Sequence, residues 1–298
     1  MKPIRLLTTL SCILLLPSCG ESNGDYDATG SFEATEVIVS AEANGRILSL
    51  NVQEGAQLTE GEMVGAIDST QLYLRKMSLL SSAKGVRARR PDIDTQTAAI
   101  REQIKTLERE KERVERLIAA NAGNRKQLDD ITSQIEVLRQ QLSAQTSTLQ
   151  KSSEQITAES SSVDIQIAQL DNQLEKTRIT SPITGTVLNR FAEAGELASM
   201  GMPLFKIADT STLFLRAYVT NDQLSGIRLN DSVTVRVDDG RGGMNSYPGR
   251  ISWISDKSEF TPKTIQTKNE RANLVYALKI AVTNDGYLKI GMYGEVKL

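Results

Sequence analysis

GRILSLNVQEGAQLTEGEMVGAI, residues 45–67, returns as GTVLNRFAEAGELASMGMPLFKI, residues 185–207. Gly45, Gly55, Gly61 and Ile67 are spaced 10, 6 and 6, and Gly185, Gly195, Gly201 and Ile207 repeat those intervals 140 residues later. Each copy reads as short alternating strands broken by turn glycines. One copy has too few strands to bury a face. Two copies close a small β-sandwich on each other, and the chain between them leaves as an insertion.

The insertion runs from Ser69 to Arg178 and its later part carries a heptad: Leu128, Ile135, Leu142, Leu149, Ile156, Val163 and Leu170 are seven apart. Ile131 and Leu138, then Ile167 and Leu174 after a one-residue shift, supply the second seam position. The earlier part has its own heptad at Ile93, Ile100, Leu107 and Val114. Such a narrow stripe is a coiled-coil seam rather than a globular-helix face. Between the two parts, Asn121-Ala122-Gly123-Asn124 reads as a helix stop and a helix start. Gly123 is expected to take the left-handed C-terminal position, and Asn124 to cap the next helix with Gln127 completing a capping-box-like pair. The expectation is an antiparallel hairpin with its tip near Ala122. Arms of roughly 50 residues span about 75 Å if straight. Gly85 and Pro91 interrupt the first arm. Counted back from the tip they face residues near 153 to 160, a Ser-rich stretch, so a bend or break is expected there in both arms.

Net charge is −2 with mixed signs, which gives no pull towards nucleic acid, and the absence of His excludes His-based triads and His metal sites. Lys2 and Arg5 precede an apolar run, Leu6 to Leu16, too short to span a bilayer. Leu16-Pro17-Ser18-Cys19 fits a bacterial lipobox, so Cys19 is expected to become a lipidated N-terminus; Cys12, inside the apolar run, is a poor site. The bland reading is a secretory signal with an incidental Cys. With Cys19 blocked, no second Cys remains in the mature chain for a disulfide.

After Asp209 the pattern turns all-β. Strands are expected over Leu213 to Val219, Ser232 to Val237, Tyr247 to Ser255 and Leu274 to Val282, which suggests a small antiparallel barrel. Glu295 to Leu298 and Ser31 to Ser40 are expected to pair as a further small membrane-proximal β-domain. The fold class is therefore α+β and multidomain: signal peptide 1–19; tether and membrane-proximal strand 20–40; first half-lipoyl motif 41–69; coiled-coil hairpin 70–177; second half-lipoyl motif 178–209; barrel with C-terminal membrane-proximal strands 210–298.

This order of parts resembles the periplasmic adaptor (membrane fusion protein, HlyD-like) family over essentially the whole mature chain. The most specific stretches are Ala41 to Asp68, Ser181 to Asp209 and Glu259 to Tyr276. The last is similar to adaptors of ABC-type exporters more than to those of proton-driven pumps. The resemblance implies a homo-oligomer, a hexamer by family, that joins an inner-membrane ABC-type transporter to a TolC-like outer-membrane channel. It implies a channel-contacting tip with Arg, then Leu four on, then Ser seven further. Arg113, Leu117 and Asn124 have that spacing; Asn replaces Ser, and both are good N-caps. It also implies that the loop holding Met200 and Met202 faces a central channel, where two flexible apolar side chains repeated around a ring narrow the duct. The competing reading makes these methionines a cap on the sandwich core. The lipid is expected on the periplasmic face of the inner membrane, although Gly20 rather than Asp follows Cys19, which leaves outer-membrane anchoring open.

Two other functions compete. A biotin or lipoate carrier needs an exposed Lys at the turn between the halves, but that turn is Asp68-Ser69-Thr70, with Lys76 and Lys176 at the stalk base. An envelope-spacing structural lipoprotein needs less elaboration than a repeat-built sandwich and a barrel. No cofactor, metal or catalytic group is expected. Lys84, Arg87, Arg89 and Arg90 read as a solvated face or as local partners of Glu154 and Glu159. Asp238-Asp239 with Gly240 and Gly242 reads as a β-turn, because the spacing matches no calcium loop.

Overall fold

The computed structural model describes residues 26–260 and 274–298. Cys19, the leader and residues 261–273 of the exporter-like stretch lie outside the described residues. In chain order the elements are β1 (Ala28–Ser40), β2 (Gly45–Leu50), β3 (Gln57–Leu58), β4 (Met63–Ile67), α1 (Thr70–Ala88), α2 (Ile93–Ala119) and α3 (Arg125–Glu175). They continue as β5 (Arg178–Thr180), β6 (Gly185–Arg190), β7 (Leu197–Ala198), β8 (Pro203–Thr220), α4 (Asn221–Leu224), β9 (Ser232–Asp238), β10 (Met244–Phe260), β11 (Leu274–Thr283) and β12 (Tyr293–Lys297). The chain divides into two units: Val37–Ala208, and the residues up to Glu36 together with Asp209–Leu298.

In the first unit the two repeats build one sandwich. Gly45 pairs with Ala198 and Arg46 with Leu197; Gly185 pairs with Leu58 and Thr186 with Gln57. Shifting one set by the repeat interval gives the other, so the halves are related by a pseudo-two-fold. The same exchange holds at Gly61, which donates to Ser181 O, and at Gly201, which donates to Ala41 O, both at 2.8 Å. These turn glycines have φ of +78° and +86°, a region an L side chain adopts at a cost of roughly 1–2 kcal/mol. Ile47, Ile67, Leu204, Phe205 and Ile207 are fully buried between the halves. Burial of both copies' apolar positions in one core is the main favourable term for this unit.

The insertion is a helical hairpin, broken in one arm only. α1 stops at Ala88 and α2 restarts at Ile93 after Pro91, with Asp92 as N-cap accepting from Thr95 N at 3.1 Å. Opposite them α3 runs unbroken for 51 residues, about 75 Å at 1.5 Å per residue. The expected weakness therefore interrupts the arm that contains proline and not the Ser-rich one. Serine costs a helix little and its hydroxyl can bond back to the preceding turn, as Ser161 Oγ does to Thr157 O at 3.0 Å.

The cross-arm contacts share one centre. Lys76–Asp171 (2.5 Å), Arg87–Ser160 (2.9 Å), Arg90–Thr157 (2.6 Å) and Glu108–Arg139 (2.7 Å) are all centred on the Gly123–Asn124 junction. The true centre lies beyond Ala122, so each residue of the first arm faces a residue about one turn later than expected. The break causes no net slip, since pairs below and above it share the centre. The basic cluster faces α3 as a clamp: Arg87 also reaches both Asp164 oxygens (2.6 and 2.7 Å) and Arg89 reaches Glu159 (2.5 Å). Glu159 was an expected partner; Asp164, rather than Glu154, is the other.

The second unit is a closed six-stranded antiparallel barrel. Its strands follow the order β1, β12, β9, β10, β11 and β8, and β8 pairs back to β1. Phe32, Leu213, Leu215, Val235, Ile251, Leu278, Ile280 and Val296 fill its interior. β1 and β12 do pair, Ala28 with Val296 through Ser31 with Tyr293, but they complete this barrel instead of forming a separate membrane-proximal domain. Alternation marks a strand without naming its neighbours, and a closed barrel leaves no edge exposed. The turn at Asp238-Asp239 is held by Gly240 N and Gly243 N donating to the two carboxylates at 2.7 and 2.8 Å.

Candidate functional site at the hairpin tip and the sandwich loops

The tip is built from a helix stop and a helix start three residues apart. Asn121, not Gly123, takes the left-handed position, with φ of +58°. Asn121 N donates to Ile118 O at 3.0 Å and Ala122 N to Leu117 O at 2.9 Å, the two bonds of a Schellman motif. Asn tolerates this conformation because its short amide bonds locally. Gly123 is required for another reason: a Cβ there would stand 2.6 Å from Ile118 N. The Asn124 side chain accepts from Lys126 N at 2.9 Å, so it caps as expected, through Lys126 rather than through a pair with Gln127.

Around this turn, packing and presentation fall to different residues. Val114 is 1% exposed and Ile118 packs beside it, joined across the hairpin by Ile131 and Ile135. Leu117 stands outside that seam, 41% exposed. Arg113, one turn below on the same face, is exposed and forks onto Glu110, with Nε to Oε2 at 3.0 Å. The Arg113 hydrogen bonds hold the Glu110 carboxyl below the usual carboxylate range, and Glu110 raises Arg113 in turn. The tip therefore offers one apolar side chain, Leu117, above a locally neutralised Arg113, with Asn124 exposed at the start of the second arm.

Sequence reading missed several seam positions. Thr97 and Ile104 are buried on α2; Thr97 bonds its hydroxyl back to Ile93 O at 2.7 Å, which hides its polarity. On α1 the buried residues are Ala83 and Val86, a stripe too small-sided to show as a heptad. An open groove of about 1040 Å³ runs beside the upper coil, walled by Leu107, Val137 and Leu138 with Glu102 and Asp130 at its margins. Its polar lining is Glu102 and Asp130 with Thr106, Ser133 and two glutamines, and among the described residues no group of acids or Cys is placed to hold a metal.

The sandwich has two equivalent loops, and they differ in chemistry. Glu60 N donates to Thr184 Oγ1 at 3.0 Å; its pseudo-two-fold mate, Met200 N, donates to Asn44 Oδ1 at 2.8 Å. The first loop presents glutamates and the second presents Met200, 69% exposed. Met202 packs against the sandwich core. The turn into the stalk is closed by Thr70, whose N–H and hydroxyl bond Asp68 Oδ1 at 2.9 and 2.7 Å. No Lys stands there, and Lys76 is tied to Asp171.

A profile described as RND MFP, barrel-sandwich hybrid domain matches residues 35–210. The "UPF0194 membrane protein in asrC 5′region" of Acidithiobacillus ferridurans is 27% identical over 284 residues, spanning 88% of this chain and 83% of that protein. The "UPF0194 membrane protein YbhG" of Salmonella gallinarum is 28% identical over 330 residues, spanning 99% and 97%. Among solved structures, MacA from Actinobacillus actinomycetemcomitans superposes with a TM-score of 0.55 at 21% identity, over 91% of this chain and 76% of that one. A MacA–MexA chimera carrying the Pseudomonas aeruginosa MexA α-hairpin gives 0.50 at 22% identity, over 90% and 78%. Both structural likenesses are likenesses of fold.

Proposed function

Because the chain belongs to the membrane fusion protein family defined by the barrel-sandwich hybrid domain, a family of oligomeric adaptors rather than enzymes, we propose that it is the adaptor of a tripartite efflux or secretion system linking an ABC-type inner-membrane transporter to a TolC-like outer-membrane channel. The observation that carries this reading is the tip. A coiled-coil hairpin inserted between the two halves of a sandwich ends in an exposed Leu117 while Val114 and Ile118 on either side hold the arms together. A spacer has no need of an apolar residue at its far end. In this reading Arg113, Leu117 and Asn124 meet the channel, and Met200, repeated around an oligomer, narrows the duct, with Met202 serving the core. Cys19 carries the lipid that holds the chain on the periplasmic face of the inner membrane. Among the described residues no helix is long and apolar enough to cross a membrane. The similarity of residues 259–276 to exporter adaptors favours the ABC class.

The test is a pull-down in mild detergent with identification of copurifying membrane proteins. Recovery of an ABC permease and an outer-membrane channel is expected. A proton-driven permease in its place corrects the transporter class, and recovery of neither favours an envelope spacer.

A further inference from the structure

The two loops of the sandwich are tied down by different chemistry. At the first, the exposed Thr184 takes the amide of Glu60; at the second, the exposed Asn44 takes the amide of Met200. The pseudo-two-fold makes the two positions equivalent, since Thr184 precedes Gly185 and Asn44 precedes Gly45. A threonine hydroxyl is inert there. An asparagine followed by glycine is not: attack of the Gly45 nitrogen on Asn44 Cγ closes a five-membered ring, and no side chain on residue 45 crowds the approach. Among the described residues Asn44 is the one asparagine followed by glycine. Packing fixes that neighbour, because a Cβ on residue 45 would stand 2.8 Å from Ile67 Cγ2 and 3.1 Å from Asp68 O.

The surroundings favour ring closure. Met200 N donates to Asn44 Oδ1 at 2.8 Å. A donor on that oxygen draws charge from Cγ and stabilises the oxyanion that forms when Cγ is attacked. Asn44 is exposed, so water reaches the amide. Gly45 opens β2, and its partner Ala198 ends β7, a strand of two residues. Freeing the Gly45 amide therefore takes local fraying rather than unfolding. We propose that Asn44-Gly45 is a site of spontaneous deamidation in the folded protein. The Gly45 nitrogen bonds to Asn44 Cγ, and the side-chain nitrogen leaves as ammonia, taking the Gly45 amide proton. Water then opens the cyclic imide at one carbonyl or the other, giving aspartate or isoaspartate; nothing is oxidised or reduced. Either product sets a carboxylate beside Met200, so the second loop becomes acidic like the first. Aspartate keeps an acceptor for the Met200 amide. Isoaspartate routes the main chain through the former side chain, which adds a carbon to the backbone between Ala41, bonded to Gly201 N, and Gly45, paired with Ala198. That loosens the Met200 loop.

The test incubates the full chain at mildly alkaline pH and follows each asparagine by peptide mass mapping, with isoaspartate methyltransferase labelling to separate the two products. Asn44 is expected to convert roughly tenfold faster than any other asparagine among the described residues. Asn23-Gly24, the chain's other such pair, is the reference for the chemistry. Asn44→Thr, which copies Thr184, is expected to melt like the parent and to abolish the modification. In protein carrying isoaspartate, hydrogen exchange at the Met200 amide is expected to quicken roughly tenfold, whereas in Asn44→Asp it stays within about twofold of the parent. Conversion of Asn23 with Asn44 left intact overturns the proposal. So does a rate at Asn44 that climbs in low urea in step with global unfolding, because the site then reacts only in the unfolded chain.

Discussion

Gly55 donates its amide to the carbonyl of Val187 across 2.8 Å, and Gly195 does the same to Ile47. Each half of the sandwich thus ties down the other's turn by the same bond, beside the turn's own bond from Ala56 N to Gln53 O at 3.1 Å and from Glu196 N to Glu193 O at 3.3 Å. The symmetry extends to the loops but stops at their side chains, where Glu60 and Met200 differ.

Equivalent glycines carry equivalent penalties. Gly55 and Gly195 have φ of +84° and +98° and open space where a Cβ would stand. Gly55→Ala and Gly195→Ala are each expected to destabilise the sandwich by roughly 1–2 kcal/mol, from backbone strain alone. Urea titration of the two variants checks this; a difference between them of more than about 1 kcal/mol contradicts the pseudo-two-fold.

At the tip, Leu117→Asp tests the proposed contact with the channel. Since Leu117 is 41% exposed, the isolated protein is expected to lose well under 1 kcal/mol. Leu107→Asp, in the groove wall of the upper coil, puts a carboxylate against the packed seam and is expected to cost about 2–4 kcal/mol. Export and channel capture, measured beside thermal melting, separate the two. The tip variant is expected to stay folded and transporter-bound without capturing the channel. Loss of export that tracks melting in both variants makes Leu117 a packing residue.

The arginine clamp is exposed and its effect is correspondingly small. Arg87→Ala removes the fork onto Asp164 and the bond to Ser160, a loss of up to ~1 kcal/mol for a solvent-facing pair. Hydrogen exchange is expected to quicken up to about fivefold at the amides of α1 and to be unchanged in α2. Raising salt in the parent protein is expected to move α1 in the same direction.

The start of α2 is expected to respond to acid. The Thr95 hydroxyl, then the Thr95 amide, hold the Asp92 carboxyl below its usual range. A carboxyl depressed in the folded state contributes stability above its unfolded value of ~3.9, and loses it as pH falls through the folded value. The helix signal of the parent is therefore expected to weaken below about pH 4. Asp92→Asn keeps a cap and removes the titration, so its melting temperature is expected to fall less between pH 5 and pH 2.

The repeat was legible because turn glycines at fixed intervals have few alternative causes. The coiled coil was legible where Leu and Ile fill its seam. α1 was not, because its seam is made of Ala83, Val86 and an ion-paired Lys76. The helix stop was assigned to the wrong residue because Gly123 carried the obvious signal; Asn121 took the left-handed turn and Gly123 was spent on a close approach to Ile118. The barrel strands were read well individually. Their closure by β1 was not, since alternation in Ser31 to Ser40 fits any neighbour, and only the register of Ala28 with Val296 shows which one it takes. Arg113, Leu117 and Asn124 were singled out by resemblance alone, whereas the exposure of Leu117 beside the buried Val114 needed coordinates.

The insertion also leads to an expected order of events during folding. The two halves of the sandwich are far apart in sequence; each pairs its own strands, β2 with β4 and β6 with β8, but neither closes the core alone. Joining them through a floppy loop is entropically slow, and the penalty grows by about 0.6 kcal/mol per doubling of loop length. The hairpin, by contrast, zips from contacts only a few residues apart at its tip, and delivers Ile67 and Thr177 to within 2.8 Å. Against a loop of about a hundred residues this shortcut removes about 3 kcal/mol of closure entropy. The stalk thus acts first as the sandwich's own assembly jig, and a lesion that slows its zipping is expected to appear as sandwich strands that stay unpaired and aggregate.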